Sequence, residues 1–308
     1  MSAKEVSESD FKFDVRFFMA PDDLAPCFSI IYRIDVNVPP GRSVEDCLLP
    51  EWANIRFATY DLPVASVKGS NREVSARFTA TGPSSCPIHF RLRRTRIWGM
   101  GFLPSGWARF IDLPANESAN TVQPGTENPA FAHFAPLAEF LCGTHIGEEE
   151  QFHRTIDFFR KLAPPHKDSA RIQSILDVMY DPYLTQVSEF SDKAGMTKRT
   201  LERVCLRHFG FSPQMLIRRQ RTMRSLAAFM LKEEANWRET IDHAYHDQAH
   251  FVREFQSFMG MTPSEYAKQD HPILSAFMEE RNRVWGPAVP AYEPPSIKRH
   301  VKPIARAG

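Results

Sequence analysis

The sequence is 308 residues long, with 43% hydrophobic residues, 24% charged residues and a formal net charge of +1. These values predict a folded chain of about two ordinary domains, each able to bury its own core. No apolar run approaches the ~18 residues of a membrane span, and the N-terminus lacks a secretory pattern. We therefore expect a cytoplasmic protein with no membrane partner.

The N-terminal third, from Phe11 to about Phe110, alternates short β-rich runs with turn residues. Enrichment in Val, Ile, Phe, Tyr and Thr, punctuated by Pro and Gly, favours a sheet-rich domain. We predict a curved sheet or barrel-like sandwich. The runs are FDVRFF, FSIIYRIDV, NIRFATY, VSARFTA and IHFRLRRTRIWGMGF.

Beyond Asp112, a polar loop leads to helical patterns over 129–141 and 148–162. In the second pattern, apolar residues recur at intervals of three to four, which is typical of an amphipathic helix. Pro164 and Pro165 end this helix and predict a domain boundary near 164–168. Residues 1–163 would then form a β-rich regulatory domain with trailing helices.

Neither cysteines nor histidines form a metal-binding pattern. The five cysteines are scattered and never form a C-x2-C pair, which argues against a disulfide framework and a structural zinc site. His133, His145 and His153 are not spaced as ligands. We expect no metal site and no cofactor.

Positive charge is concentrated between Lys193 and Arg224, where nine Lys or Arg accompany a single acid, Glu202. Such a block is the electrostatic footprint expected of a phosphate-binding surface, although a solvated helix face has the same composition. Charge alone does not separate these two interpretations.

The segment 184–209 has the pattern of a helix-turn-helix unit. A short amphipathic helix is followed by Gly195, and Thr197 can cap a second helix whose inner face is Leu201, Val204, Cys205 and His208. The outward residues of this helix are mostly basic, and a helix of this kind fits the major groove of DNA. The outward residues are Lys198, Arg199, Glu202, Arg203, Leu206 and Arg207.

A long helix over about 213–231 would connect this unit to a second one. It is predicted to expose four arginines: Arg218, Arg219, Arg221 and Arg224. The second unit has a short helix around Trp237 and a recognition helix over 248–258. G-x-[ST]-P closes both units, at Gly210 and again at Gly260.

These motifs together resemble the DNA-binding module of AraC/XylS-type transcription regulators. The resemblance covers about 168–268 and rests on motifs from both units. One departure is Ala244, which stands where the second turn usually has Gly, a residue that tolerates positive φ. The motifs are Thr197-x-Arg199-x-Leu201-x-Arg203, Gly210-Phe211-Ser212-Pro213, Arg221, Asp247-Gln248-Ala249-His250-Phe251-x-Arg253-x-Phe255 and Gly260-x-Thr262-Pro263-x-x-Tyr266.

The resemblance implies an α+β protein: a β-rich N-terminal domain followed by an all-α C-terminal domain, 168–270, of two helix-turn-helix units joined by a long helix. It also implies that the two recognition helices enter successive major grooves. The implied base contacts are Arg199, Glu202, Arg203, Gln248, Ala249 and His250. The predicted phosphate contacts are Lys198, Arg207, Arg218 and Arg253.

The leading hypothesis is therefore a sequence-specific transcription regulator with double-stranded DNA as its partner. Further candidate partners are a small-molecule effector at the N-terminal domain, a second copy of the chain and, for an activator, RNA polymerase. The alternative is a ligand-binding or protein-interaction protein with a degenerate, weakly specific DNA-binding module. An enzyme is disfavoured, since neither clustered zinc-binding cysteines nor a G-x-S-x-G nucleophile motif is present. The Pro-rich basic tail, 281–308, is predicted to be disordered.

Overall fold

The computed structural model describes residues 11–230 and 237–285. Within these residues, ten strands occupy the N-terminal half of the chain and the C-terminal half is helical. The strands are β1 (Lys12–Phe18), β2 (Phe28–Asn37), β3 (Val44–Leu48), β4 (Asn54–Tyr60), β5 (Val64–Val67), β6 (Val74–Ser75), β7 (Phe78–Thr81), β8 (Ile88–Leu92), β9 (Thr95–Phe102) and β10 (Val122–Pro124).

The strands form two antiparallel sheets, with orders β1-β2-β9-β4-β7-β10 and β3-β8-β5-β6. The predicted β-rich character of the N-terminal region is thus confirmed. One predicted run is divided, because the chain leaves one sheet after Leu92 and enters the other at Thr95. Gly99 lets β9 pass beside Tyr32, since a Cβ there would lie 2.1 Å from the Tyr32 ring.

Four helices pack against the larger sheet and share its apolar core. They are α1 (Pro104–Phe110), α2 (Pro129–Ala132), α3 (Leu137–Leu141) and α4 (Glu148–Leu162). Helix α4 packs Ile156 and Phe159 into the same core as Trp98. The Trp98 indole N–H donates to Gln151 Oε1 at 3.0 Å, so a buried polar pair fixes α4 on the sheet.

The predicted 129–141 helix is two helices, because the chain turns between Ala132 and Leu137. The predicted helix over 148–162 is confirmed. Residues 163–166 carry no helix or strand and connect α4 to the next helix. The division of the chain into domains at this connection stays a prediction.

The C-terminal half contains the predicted helices of both helix-turn-helix units. Its apolar residues form two clusters, one around Leu201 and Phe209 and the other around Phe251 and Phe255. The helices are α5 (Ser169–Met179), α6 (Val187–Lys193), α7 (Lys198–Val204), α8 (Pro213–Met230), α9 (Trp237–Thr240), α10 (Gln248–Met259), α11 (Pro263–Tyr266) and α12 (Pro272–Trp285).

Helix α12 corrects the predicted start of the disordered tail. Residues 281–285 are helical, and Arg281 is buried. Helix α12 forms because it has a partner surface: Ile273 joins the core of the sheets, and Phe277 and Trp285 pack on Phe17. Residues 286–308, the rest of the predicted tail, lie outside the described residues. No helix in 11–230 or 237–285 combines the length and hydropathy needed to cross a bilayer.

The two halves are in contact at several points besides α12. Lys68 of the smaller-sheet region donates to the Met259 carbonyl at the end of α10, at 2.6 Å. Arg219 of α8 donates to the Ser84 carbonyl at 3.0 Å. The helical half therefore contacts the sheets through α8, through the end of α10 and through α12.

Candidate nucleic-acid interface

The first helix-turn-helix unit consists of α6 and α7. Gly195, with φ of +65°, makes the tight turn between them, as its sequence position predicts. The Thr197 hydroxyl accepts from the Thr200 N–H at 3.2 Å and caps α7. A π-helical turn, Cys205–Phe209, extends α7 and ends at Gly210, whose φ is +85°. The turn and the cap together set the angle at which α7 leaves α6.

Helix α7 has one buried and one solvated face. Leu201, Val204 and Cys205 are buried in the core of the unit. Burial raises the pKa of the Cys205 thiol, which keeps it neutral and inert. Five charged side chains lie on the solvated face and make no salt bridge or hydrogen bond within the described residues. They are Lys198, Arg199, Glu202, Arg203 and Arg207.

The second unit consists of α9 and α10. The Asp247 carboxylate accepts from the His250 N–H at 2.6 Å and caps α10, and this contact lowers the pKa of Asp247. Helix α10 ends at Gly260, with φ of +65°. Among the described non-glycine residues, positive φ occurs only at Tyr60 and Asn120. Ala244 is therefore unstrained, and the second turn tolerates its departure from the family pattern.

The outward face of α10 is less charged than that of α7. Gln248, Ala249 and Arg253 are exposed. His250 is half-buried: its Nε2 lies 3.5 Å from Arg221 Nη2 and 3.8 Å from the Glu254 carboxylate. The structure therefore brings Gln248 and Ala249 to an open surface and places His250 at its edge.

The arginines of α8 contradict the prediction that they are exposed. Arg219 is buried, stacks on the Trp52 ring at 4.1 Å and donates to a backbone carbonyl of the sheet half. Burial lowers the pKa of Arg219 to about 10. Arg224 is buried and pairs with Asp242 at 2.6 Å. The sequence could not indicate these contacts, because both partners are distant along the chain.

The other two arginines of α8 converge on one buried carboxylate of α10. Arg221 binds Glu254 through Nε and Nη2, at 3.0 and 2.7 Å, and Arg218 Nε donates to Glu254 at 2.9 Å. The Tyr245 hydroxyl also donates to Glu254, at 2.9 Å. Burial alone would raise the pKa of Glu254, but the two arginines hold it below its usual value. This network joins the shared helix α8 to the second recognition helix.

The predicted phosphate contacts consequently fall into two kinds. Lys198, Arg207 and Arg253 are exposed cations, whereas Arg218 is bound to Glu254 with a third of its side chain exposed. A phosphate would have to compete with Glu254 for Arg218.

Within residues 11–230 and 237–285, two clusters contain side chains of metal-ligand type. In each, the carboxylate is already occupied by hydrogen bonds within the chain. Asp46 accepts from the backbone N–H groups of Cys47, Ile273 and Leu274 and pairs with His271. Asp168, beside His166, pairs with His208 and Arg171. Both clusters therefore act as helix or loop anchors.

A family model described as a helix-turn-helix domain matches residues 190–269. This match covers the segment from α6 to just beyond α11 and includes both units. It identifies this segment as a helix-turn-helix domain. No curated protein matches the chain significantly.

Solved structures with similar coordinates include ToxT from Vibrio cholerae, at 12% identity and a TM-score of 0.43 over 82% of this chain and 97% of that chain. Another ToxT structure, bound to an unsaturated fatty acid, has 11% identity and a TM-score of 0.42 over 85% and 96%. The AraC-like transcriptional activator CuxR has 13% identity and a TM-score of 0.32 over 72% and 84%.

Proposed function

We propose that the protein is an AraC-type transcription regulator that reads two successive major grooves, because residues 190–269 match a helix-turn-helix family model and contain both predicted units. The observation that carries this proposal is the pair of capped helices, α7 and α10, each with a buried inner face and an open polar face. Both are attached to α8, so the geometry of one constrains the other. A helix of this width fits the major groove of B-DNA.

In the first unit, Arg199, Glu202 and Arg203 are the proposed base-contacting residues. Arginine can pair bidentately with guanine, and a carboxylate can accept from the cytosine amino group. All three side chains are exposed and unpaired within the described chain. Nothing in the fold has to break for them to reach bases.

In the second unit, Gln248, Ala249 and His250 are the proposed base-contacting residues. Gln can pair bidentately with adenine, and the Ala methyl can pack on the thymine methyl. His250 already contacts Arg221 and Glu254, so its ring is less free to turn towards a base than the exposed side chains of the first unit. We therefore expect the second unit to contribute less specificity than the first.

Lys198, Arg207 and Arg253 are the proposed phosphate contacts, and Arg218 joins them only if it exchanges Glu254 for phosphate. Phosphate contacts position the protein without reading sequence. The same proposal includes three further partners. They are a small-molecule effector at the N-terminal half, a second copy of the chain and, for an activator, RNA polymerase.

Selection of binding sites from random duplex DNA by the full-length protein tests this function. We expect a consensus with two half-motifs about one helical turn apart. Arg203→Ala should relax one half-motif and leave the other unchanged, with Arg171→Ala, outside both recognition helices, as the matched control. Binding with a steep salt dependence but no selected consensus would contradict the proposal and favour the degenerate module.

A further inference from the structure

A polar cavity of about 420 Å³ lies where the smaller sheet meets the segment between α11 and α12. Cys47 of β3, His89 of β8 and His271 all line it. Thiolate and imidazole are the side-chain groups that bind zinc and similar transition metals in proteins. The fold therefore brings together three side chains of metal-ligand type that are far apart in the sequence, and spacing along the chain does not reveal such a group.

Cys47 and His89 lie opposite each other on two paired strands. The antiparallel register of β3 and β8 makes them direct partners. Residues in such positions project from the same face of a sheet, with Cβ atoms ~4.5–5.5 Å apart. This separation suits two ligands of one ion, because zinc binds sulfur and nitrogen at ~2.0–2.3 Å. Backbone pairing thus fixes one thiol and one imidazole side by side.

His271 brings a second imidazole to Cys47. Ligand atoms of Asp46, Cys47 and His271 lie within 4.8 Å of one another. The Nδ1 of His271 pairs with Asp46 Oδ1 at 3.1 Å, whereas its Nε2 is buried and has no hydrogen-bond partner within the described residues. In protein metal sites, a ligating histidine commonly has its other ring nitrogen held by a carboxylate. His271 therefore has the arrangement of a ligand that binds through Nε2.

Asp46 orients this histidine and is not itself a ligand, because its oxygens are already in use. Asp46 Oδ2 accepts from the backbone N–H groups of Ile273 and Leu274, at 3.0 and 2.9 Å. Asp46 Oδ1 accepts from the Cys47 N–H at 2.7 Å in addition to its contact with His271. Asp46 therefore keeps its role as an anchor and holds the His271 ring in place for a metal.

We propose that Cys47, His89 and His271 form a binding site for a transition-metal ion of the zinc class. Asp270, which also lines the cavity, or a water molecule completes the tetrahedral set. Binding releases the proton of the Cys47 thiol and the proton of His271 Nε2 to solvent, since the metal bonds to the deprotonated groups.

The bound ion would join the smaller sheet to the second helix-turn-helix unit. Tyr266 of α11 stacks on the His271 ring, with centroids 4.3 Å apart, and α12 begins at Pro272. A metal held by β3, β8 and His271 therefore fixes the segment that leaves the second unit, and we expect it to change DNA affinity. This regulatory role rests on the proposed function, whereas the metal site itself does not.

Titration of the tag-free, reduced and chelator-treated full-length protein with Co²⁺ tests the site without DNA. Co²⁺ takes the place of zinc and reports its ligands by absorption. We expect one equivalent to give a thiolate-to-cobalt charge-transfer band together with the d–d bands of tetrahedral coordination. Zn²⁺ should remove both, because it binds such sites more tightly than Co²⁺. Absence of the charge-transfer band, or a band that Zn²⁺ does not displace, would overturn the proposal.

Two variants test the assigned ligands. Cys47→Ser should abolish the charge-transfer band, whereas Cys86→Ser, at a half-buried cysteine outside the cavity, should keep it. His89→Gln changes an exposed side chain and should weaken Co²⁺ binding about tenfold or more, since loss of an orienting group alone has an effect of this size. His153→Gln, exposed on α4, is its control. A band that persists in Cys47→Ser, or equal Co²⁺ affinity of the two histidine variants, would overturn the assignment.

DNA titration separates the site from its regulatory role. Zn²⁺ should change the affinity of the parent chain for a selected duplex about fivefold or more and leave that of His89→Gln unchanged. The cobalt band combined with equal DNA affinity in the presence and absence of Zn²⁺ would overturn the regulatory role. The cobalt band in a chain that selects no DNA motif would refute the proposed regulator and leave the metal site standing.

Discussion

The arginines of α7 and those of α8 belong to one basic stretch of sequence, but those of α7 are exposed and those of α8 are bound to other parts of the protein. Arg199 and Arg203 point to solvent and have no partner in the described chain. Arg219, Arg221 and Arg224 are bound inside the protein by a ring, a carboxylate or a backbone carbonyl. The first group is available to DNA, whereas the second holds the module together and to the sheets.

This difference shows that a local excess of positive charge does not by itself define a binding surface. The neutralising acids are supplied by elements that follow later in the chain, chiefly through Glu254 and Asp242. Four of the nine basic residues between Lys193 and Arg224 lie on α8. Within the basic stretch, the exposed cations without a partner in the described residues are those of α7 and its π-helical extension, and Arg253 of α10 adds an exposed cation in the second unit.

The largest effect is expected on stability, when the buried ion pair between Arg221 and Glu254 is removed. Arg221→Ala leaves Glu254 in the interior with fewer donors and should lower the free energy of unfolding by ~3–5 kcal/mol. Urea unfolding followed by circular dichroism measures this loss. Arg199→Ala, on the open face of α7, is the matched control and should stay within ~0.5 kcal/mol of the parent. Equal stability of the two variants would mean that the network is not formed in solution.

Much of the helical half could be predicted from the sequence, because caps and turns are local. Thr197, Gly210 and Gly260 mark the ends of their helices and take those roles in the structure. The first strands were also recognisable from composition. The partners of α8 and the position of α12 could not be predicted, because they depend on contacts between segments that are distant in sequence. Arg219 of α8 contacts Trp52, and His271, just before α12, contacts Asp46.

The second largest effect is expected on DNA affinity. It should distinguish the exposed arginines of α7 from the buried arginines of α8. Arg199→Ala and Arg203→Ala should each cost ~1–3 kcal/mol of binding to a selected site and relax the preference for one base pair. Titration of a labelled duplex and of its single-base variants measures both quantities. Full affinity together with unchanged base preference in both variants would exclude α7 as the recognition helix of the first unit.

The contact between His271 and Asp46, next to the start of α12, should make the free energy of unfolding depend on pH. Burial lowers the pKa of His271, but Asp46 and Cys47 outweigh this and raise it to about 10. A raised pKa stabilises the folded state fully below the unfolded value of ~6.5 and loses this contribution as the pH rises towards 10. His271→Gln should therefore cost about 1.5 kcal/mol near pH 6 and much less near pH 10. A cost that is constant across this range would show that the His271–Asp46 contact carries no charge.

The smallest effect is electrostatic and uniform across DNA sequences. Arg207→Ala should lower the slope of log affinity against log salt by about 1, with little change in base preference, because an exposed cation releases one counterion from phosphate. Arg218→Ala is the informative comparison, since its guanidinium is bound to Glu254 at 2.9 Å. We expect a smaller change in slope from Arg218→Ala than from Arg207→Ala, as measured by titrating random duplex at several salt concentrations. Equal changes would mean that Arg218 leaves Glu254 for phosphate when DNA binds, and that the boundary between open and internal arginines shifts in the complex.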